Sequence, residues 1–158
     1  MLSAFYLCVK KNLKMFSKSC EYAIKASIFI AQQRDGITCV GVKEIAKGIN
    51  APEYFVAKIL QELSRKKIVS SVKGPNGGFC MSEAQMKKPV LEIVLLMDGD
   101  GLLNNCVLGL EHCSNINPCP MHHEYQNIKQ SIRNMLEKNT ILDFNNLVTT
   151  KKAVLFMN

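Results

Sequence analysis

The chain has 158 residues, 47% of them hydrophobic and 21% charged, a composition with a core to bury that excludes disorder, a collagen-like repeat and a bare peptide scaffold. Lysines and arginines number 20 against 13 acidic residues, a net charge of +7, which is compatible with a polyanionic partner. Seven cysteines form an odd set with three crowded into one stretch, pointing to metal or redox chemistry in a reducing compartment and away from a secreted disulfide framework.

Residues 1–14 are expected to be an upstream extension outside the core fold. Leu2 to Val9 is apolar, but Lys10, Lys11 and Lys14 follow it, whereas a secretion signal carries its basic residues first. Apolar runs such as Ala26 to Ala31 fall far short of the roughly 18 residues a membrane-spanning helix needs. A cytoplasmic protein with no membrane partner is therefore expected. Tyr22, Ala26, Phe29, Ile30 and Gln33 recur at helical spacing, with Ala23 beside them, and predict a helix over Ser19–Gln33 that Arg34-Asp35-Gly36 ends. A short helix over Val42–Lys47 places Val42, Ile45 and Ala46 on one face, and Gly48-Ile49-Asn50 is a tight connector. Pro52 suits a helix start. The third helix buries Val56, Ile59, Leu60 and Leu63 and presents Glu53, Tyr54, Ala57, Lys58 and Gln61 on its other side.

The period then changes. Ile68–Val72 is rich in β-formers, Gly74–Gly78 is a turn, and Phe79-Cys80-Met81 can return as a second strand. Asn76-Gly77 is expected to supply the positive φ angles of the hairpin. Helix, helix–turn–helix and hairpin in that order make a winged helix–turn–helix over residues 15–88. A fourth helix follows over Val90–Met97, closed by Asp98-Gly99-Asp100-Gly101, and the chain to Met121 is expected to be irregular. A longer helix over His123–Lys138 carries an apolar seam of Tyr125, Ile128, Ile132, Met135 and Leu136, which its own domain or a twin subunit must cover. Thr140–Val148 is a short terminal helix, and residues 149–158 are a tail. The predicted fold class is mainly α with a small β-hairpin.

Charge is divided along the chain. Residues 1–88 hold 15 basic and 6 acidic side chains, net +9, and residues 89–158 hold 5 and 7, net −2. In a winged helix–turn–helix the second helix of the pair enters the major groove, where each base pair shows its own donor and acceptor pattern. Tyr54, Lys58 and Gln61 have the reach, and Pro52 and Ala57 can pack on a thymine methyl or the sugar backbone. The wing offers Lys73 and Asn76, with Arg65, Lys66 and Lys67 just before its first strand, for phosphates or a narrowed minor groove. The competing reading is a merely solvated helix face, and the hairpin that follows tells against it. The glycine-rich turn lacks the Gly-Lys-Ser/Thr ending of a nucleotide loop and is not followed by a helix.

Cys106, Cys113, Cys119 and His122 form Cys-x6-Cys-x5-Cys-x2-His in a polar stretch, with Pro118 and Pro120 flanking Cys119. Three thiolates and a fourth ligand suit an iron–sulfur cluster or zinc. Buried structural cysteines are the plainer alternative, poorly matched to such polar surroundings. Cys8, Cys20, Cys39 and Cys80 read as core or incidental residues. No Ser/His/Asp set, carboxylate pair or nucleotide motif can be assembled, so no enzyme is expected.

The segment Ile68-Val69-Ser70-Ser71-Val72-Lys73-Gly74-Pro75-Asn76-Gly77-Gly78-Phe79 resembles the wing of the IscR/NsrR regulators, the Rrf2 family. Glu21-Tyr22-Ala23, Val42-Lys43-Glu44-Ile45-Ala46 and the three later cysteines resemble the same family in order and separation, over about residues 15–148. The resemblance implies a homodimeric transcription regulator acting on double-stranded DNA, most simply a repressor. Residues 89–122 would be a helix and cluster-binding loop, and residues 123–148 the dimerisation helix and terminal helix. It implies a [2Fe-2S] or [4Fe-4S] cluster on Cys106, Cys113 and Cys119 that senses iron–sulfur status, redox state or nitric oxide. The fourth ligand would be His122, with Glu21 of the partner subunit and His123 as alternatives. The chain departs from the family in a six-residue first gap where five is common. Ala57 stands at the place of a recognition-helix glutamate, and Lys73 at that of a wing arginine, without the arginine's bidentate fork. Structural zinc or a metal-free thiol switch are the rival readings of the same residues. An iron–sulfur electron carrier would leave the helix–turn–helix and wing without a purpose.

Overall fold

The computed structural model describes residues 14–33 and 39–156, and its first element, α1 (Lys18–Gln32), begins where Ser17 Oγ accepts the N–H of Cys20. The N–H and hydroxyl of Ser17 both donate to the carboxylate of Asp98, tying the start of α1 to the end of α5 (Val90–Asp98). Cys20, Ala23, Ala26, Ser27, Ile28, Ile30 and Ala31 are buried. Several of these are small, which lets neighbouring helices approach closely. Tyr22 and Phe29 are only half-buried. The expected helix stop at Arg34-Asp35-Gly36 lies outside the described residues. So does the expected N-terminal extension apart from Lys14, which ion-pairs with Glu21 at 3.3 Å.

The helix–turn–helix consists of α2 (Val42–Gly48) and α3 (Glu53–Arg65). Gly48 lies under the Phe29 ring, where any Cβ would collide, and Asn50 takes a φ of 49° to make the turn. Pro52 caps α3, and Val56, Ile59, Leu60 and Leu63 are buried, as their spacing predicts. The wing pairs β1 (Ser70–Val72) with β2 (Gly78–Cys80), antiparallel, with Ser71 opposite Phe79. Its positive φ angles fall on Gly74 and Gly78, and not on Asn76-Gly77 as expected. The Gly77 N–H instead closes a turn onto the Gly74 carbonyl, around Pro75 and Asn76.

Two further features depart from the sequence expectation. Val40 bridges to Phe79, and this brings Cys39 and Cys80, read as core or incidental, into a disulfide across 41 positions. A short helix, α4 (Glu83–Met86), follows the wing behind a capping box of Ser82 and Gln85. Gln85 also donates to the Lys67 carbonyl and so closes the base of the wing. The Ser-x-x-Gln spacing is the signal that marks this helix in sequence.

Beyond α5, which stops at Gly99 with φ 72°, the stretch expected to be irregular opens with one helical turn, α6 (Gly101–Asn104). Then come α7 (His122–Lys138) and α8 (Ile141–Thr149), the latter begun by a Thr140–Asp143 capping box. The helix α1 packs against α3, α5 and α8, and α5 packs against α7. The seam expected on α7 is only partly covered. Leu136 is buried, but Ile128 and Met135 are 53% and 45% exposed, whereas Lys129 on a supposedly polar face is 4% exposed. Among the described residues no helix is long and apolar enough to cross a membrane.

Burial, followed by the nearby Asp98 carboxylate, pushes the Cys20 thiol from 9.0 up to about 12. The folded chain thus keeps a proton that the unfolded chain releases above its ordinary thiol range. Stability is unaffected below pH 9 and falls as pH rises toward 12, by about 3 kcal/mol at pH 11. Urea midpoints measured between pH 9 and 11 should fall more steeply for the native chain than for Cys20→Ala.

Candidate nucleic-acid face and cysteine centre

Pro52, Tyr54, Lys58 and Gln61 are exposed along one side of α3, with Ala57 half-buried among them. The Lys58 ammonium sits 4.4 Å from the Tyr54 ring centroid, which couples the two side chains best placed to reach a groove. Lys73 and Asn76 are exposed at the wing tip, and Arg65, Lys66 and Lys67 are exposed at its base. The structure therefore leaves every residue of the expected nucleic-acid face accessible except Ala57, whose methyl is partly covered. Phe55 was not anticipated. It is 42% exposed and meets the Tyr22 ring edge-on at 6.3 Å.

The three cysteines lie on the loop between α6 and α7. Cys106 follows α6 after its cap residue Asn105 and is buried, and the backbone N–H groups of Leu110 and then Leu108 face its sulfur and hold the thiol below its usual range. Its Sγ lies 3.7 Å from that of Cys119, also buried. The Sγ of Cys113 lies 3.4 Å from His122 Nδ1. His122, the first residue of α7, is 2% exposed, and its Nε2 is 2.6 Å from Asn115 Oδ1. An amide oxygen only accepts, so Nε2 donates to Asn115 Oδ1, and in the neutral ring Nδ1 turns its lone pair toward Cys113.

The buried Lys129 was missed in sequence. Its Nζ lies 3.3 Å from Cys113 Sγ and 3.4 Å from the Asn105 carbonyl, and 5.4 Å from the Tyr125 ring centroid. His122, Gln126, Lys129 and Arg133 recur at spacings of four, three and four, so one face of α7 carries all of them. That periodicity, followed from His122, is the signal that finds the lysine. A polar cavity of about 340 Å³ lies between α6 and this face, with Cys113, Lys129 and Arg133 in its wall.

The structure thus joins the expected ligands as two pairs, Cys106 with Cys119 and Cys113 with His122. Among the described residues no three ligating groups converge on one point. His123 is exposed, with its ring edge-on to His122 at 5.3 Å. Glu21 lies on α1, where Lys18 at 2.7 Å and Lys14 at 3.3 Å keep its carboxyl below the usual range. The donor chemistry fits a thiolate-held centre: three sulfurs, an imidazole nitrogen of assigned tautomer and a cation to offset negative charge. Asn115→Ala removes the group that orients His122. With His122 as a metal ligand, losing this outer-shell partner would cost about 10- to 100-fold in metal affinity, read as faster release of iron to a chelator.

Comparison with known proteins gives a consistent picture. The pattern of the Rrf2 family, described as iron-dependent transcriptional regulator, matches residues 16–146. A protein of Aquifex aeolicus assigned to the HTH-type transcriptional regulators is 36% identical over 135 residues, 84% of this chain and 92% of that one. The HTH-type transcriptional regulator NsrR of Oceanobacillus iheyensis is 24% identical over 133 residues, 84% of this chain and 88% of its own. Among solved structures, T. potens IscR aligns with a TM-score of 0.67 at 20% identity, covering 90% of this chain and 93% of that one. CymR, the global cysteine regulator of B. subtilis, aligns with a TM-score of 0.68 at 19% identity, covering 83% and 95%. At these identities the two structures show a shared winged-helix fold.

Proposed function

The chain belongs to the Rrf2 family of transcriptional regulators, and from that premise we propose that this DNA-binding regulator, which is not an enzyme, adjusts its grip on DNA through an iron–sulfur cluster. The cluster would be held by Cys106, Cys113, Cys119 and His122. The observation that carries the reading is the pairing of those four side chains at 3.7 Å and 3.4 Å, three on one loop and His122 at the start of the helix that follows it. When bound, the cluster supplies a centre reactive toward oxidants and nitric oxide.

The chain's own residues do the rest. Asn115 fixes the tautomer of His122, and Lys129 places a buried positive charge beside Cys113. The loop joins α6 to α7, α7 packs on α5, and α5 packs on α1, which carries α3. Ordering the loop therefore bears on the element that presents Tyr54, Lys58 and Gln61. A second copy of the chain fits the exposed Ile128 and Met135 of α7 and would set two recognition helices at a fixed spacing. For occupancy to swing from 1:99 to 99:1, loading must favour one arrangement by about 5.5 kcal/mol.

A second reading, a metal-free thiol switch, is favoured by the nearness of Cys106 and Cys119 and by the acidic shift of Cys106. Iron and sulfide analysis of anaerobically purified protein separates the two, and a colourless protein with stoichiometric zinc would indicate structural zinc. Duplex affinity of the loaded and stripped forms then tests sensing, which equal affinities would remove. In the same assay Lys73→Ala is expected to reduce the slope of log affinity against log salt by about 0.9, the share of one phosphate contact.

A further inference from the structure

Val40 and Phe79 exchange both backbone hydrogen bonds, each at 2.9 Å. The next residues along, Cys39 and Cys80, then face each other as a non-hydrogen-bonded antiparallel pair, the kind with the closest Cα approach. Their Cα atoms are 4.5 Å apart and their sulfurs are bonded. Cys80 also lies opposite Ser70, so β2 is the middle strand of a short ribbon joining the wing to the residues that lead into α2. Gly78 is pressed against the Val40 carbonyl, where no Cβ would fit. Both cysteines are half-buried, within reach of a small reagent. The bond ends at Cys39, two residues before the Gly41 cap of α2, and at the last residue of β2.

We propose that Cys39 and Cys80 form a reversible thiol–disulfide site, separate from Cys106, Cys113 and Cys119, that sets how firmly the wing is held against the helix–turn–helix. The oxidised form is the tighter DNA binder. The proposal rests on the reading of the wing as a DNA contact. The co-reactant is a low-molecular-weight disulfide. One cysteine thiolate attacks a sulfur of that disulfide, forming a mixed disulfide and expelling one thiolate. The other cysteine thiolate then attacks the protein sulfur and expels the second. The protein gives up two electrons, and the two protons pass to the departing thiolates, so a small disulfide is reduced to two thiols. In the reduced protein β2 stays paired with β1, and the strand leading into α2 is held to it by the two Val40–Phe79 backbone hydrogen bonds. A wing seated for about a tenth to a third of the time weakens apparent affinity by about three- to tenfold.

The experiment uses the full chain in anaerobic glutathione buffers graded from reduced to oxidised. Thiols are mapped by alkylation and mass spectrometry, and affinity is measured on a duplex selected by the protein from a random pool. The expected result is a Cys39–Cys80 link that forms along the series, with wild-type affinity rising about three- to tenfold in step, while the double variant Cys39→Ser, Cys80→Ser stays at the reduced level. A pair that remains bonded, or remains free, in every buffer overturns the proposal. So does a double variant that follows the wild-type curve, because the response would then belong to other cysteines. Should the variant fail to fold, wild type alone decides, by whether its affinity tracks the mapped link. If no form binds any duplex, the DNA reading falls and the proposal falls with it, a failure the thiol map keeps distinct.

Discussion

On the proposed cluster reading, Cys113→Ala is expected to leave anaerobically purified protein without iron and visible colour, and to unsettle the loop even in the stripped form. Cys113 is where the loop meets α7. Its sulfur contacts His122 Nδ1, Lys129 Nζ and, at 3.8 Å, Gln126 Nε2. Removing it would deprive the proposed centre of one of its three thiolates and break the Cys113–His122 pair. It also leaves Lys129 buried with the Asn105 carbonyl at 3.4 Å as its remaining polar partner. Losing a hydrogen bond to a buried ammonium costs about 1.5–3 kcal/mol. The double variant Cys113→Ala, Lys129→Met should therefore recover much of the stability, because Met matches the length of the lost side chain without its charge, but none of the iron. Iron content and urea denaturation of the two variants read these effects separately. Full iron retention in Cys113→Ala would remove this cysteine from the ligand set.

Reduction of the Cys39–Cys80 bond is expected to lower the melting temperature by about 8–16 °C, taking about 4 kcal/mol for a closed loop of this size and 2–4 °C per kcal/mol. The bond spans 41 positions and encloses α2, α3 and β1. Opening it gives that length of chain its freedom in the unfolded state, and this gain in the unfolded chain is what lowers the melting temperature. Thermal unfolding of wild type with and without reductant, beside the double serine variant, measures the effect. The variant should melt where reduced wild type melts, whatever the buffer. An unchanged melting temperature in reductant would mean that the loop contributes no such constraint.

The buried face of α3 was legible because Val56, Ile59, Leu60 and Leu63 obey a helical period that neighbours on one turn impose, and all four are buried. The wing was legible as two short β-rich runs about a glycine-rich turn. Its backbone was less so, because the strained angles moved to Gly74 and Gly78 once Gly77 closed back on Gly74. The cysteine spacing pointed to Cys106, Cys113, Cys119 and His122 as a set, and the structure brings these residues together as two pairs at 3.7 Å and 3.4 Å.

Local spacing by itself therefore determined the helices other than α4 and α6, the exposed basic face and the sulfur-rich loop, since these depend on residues within a few positions of one another. Only the tertiary structure decided that Cys39 meets Cys80, that Lys129 points inward beside Cys113, and that Ile128 and Met135 remain uncovered. Each of those outcomes depends on which surface a distant segment occupies, and a periodic pattern in one segment carries no information about the segment that packs against it.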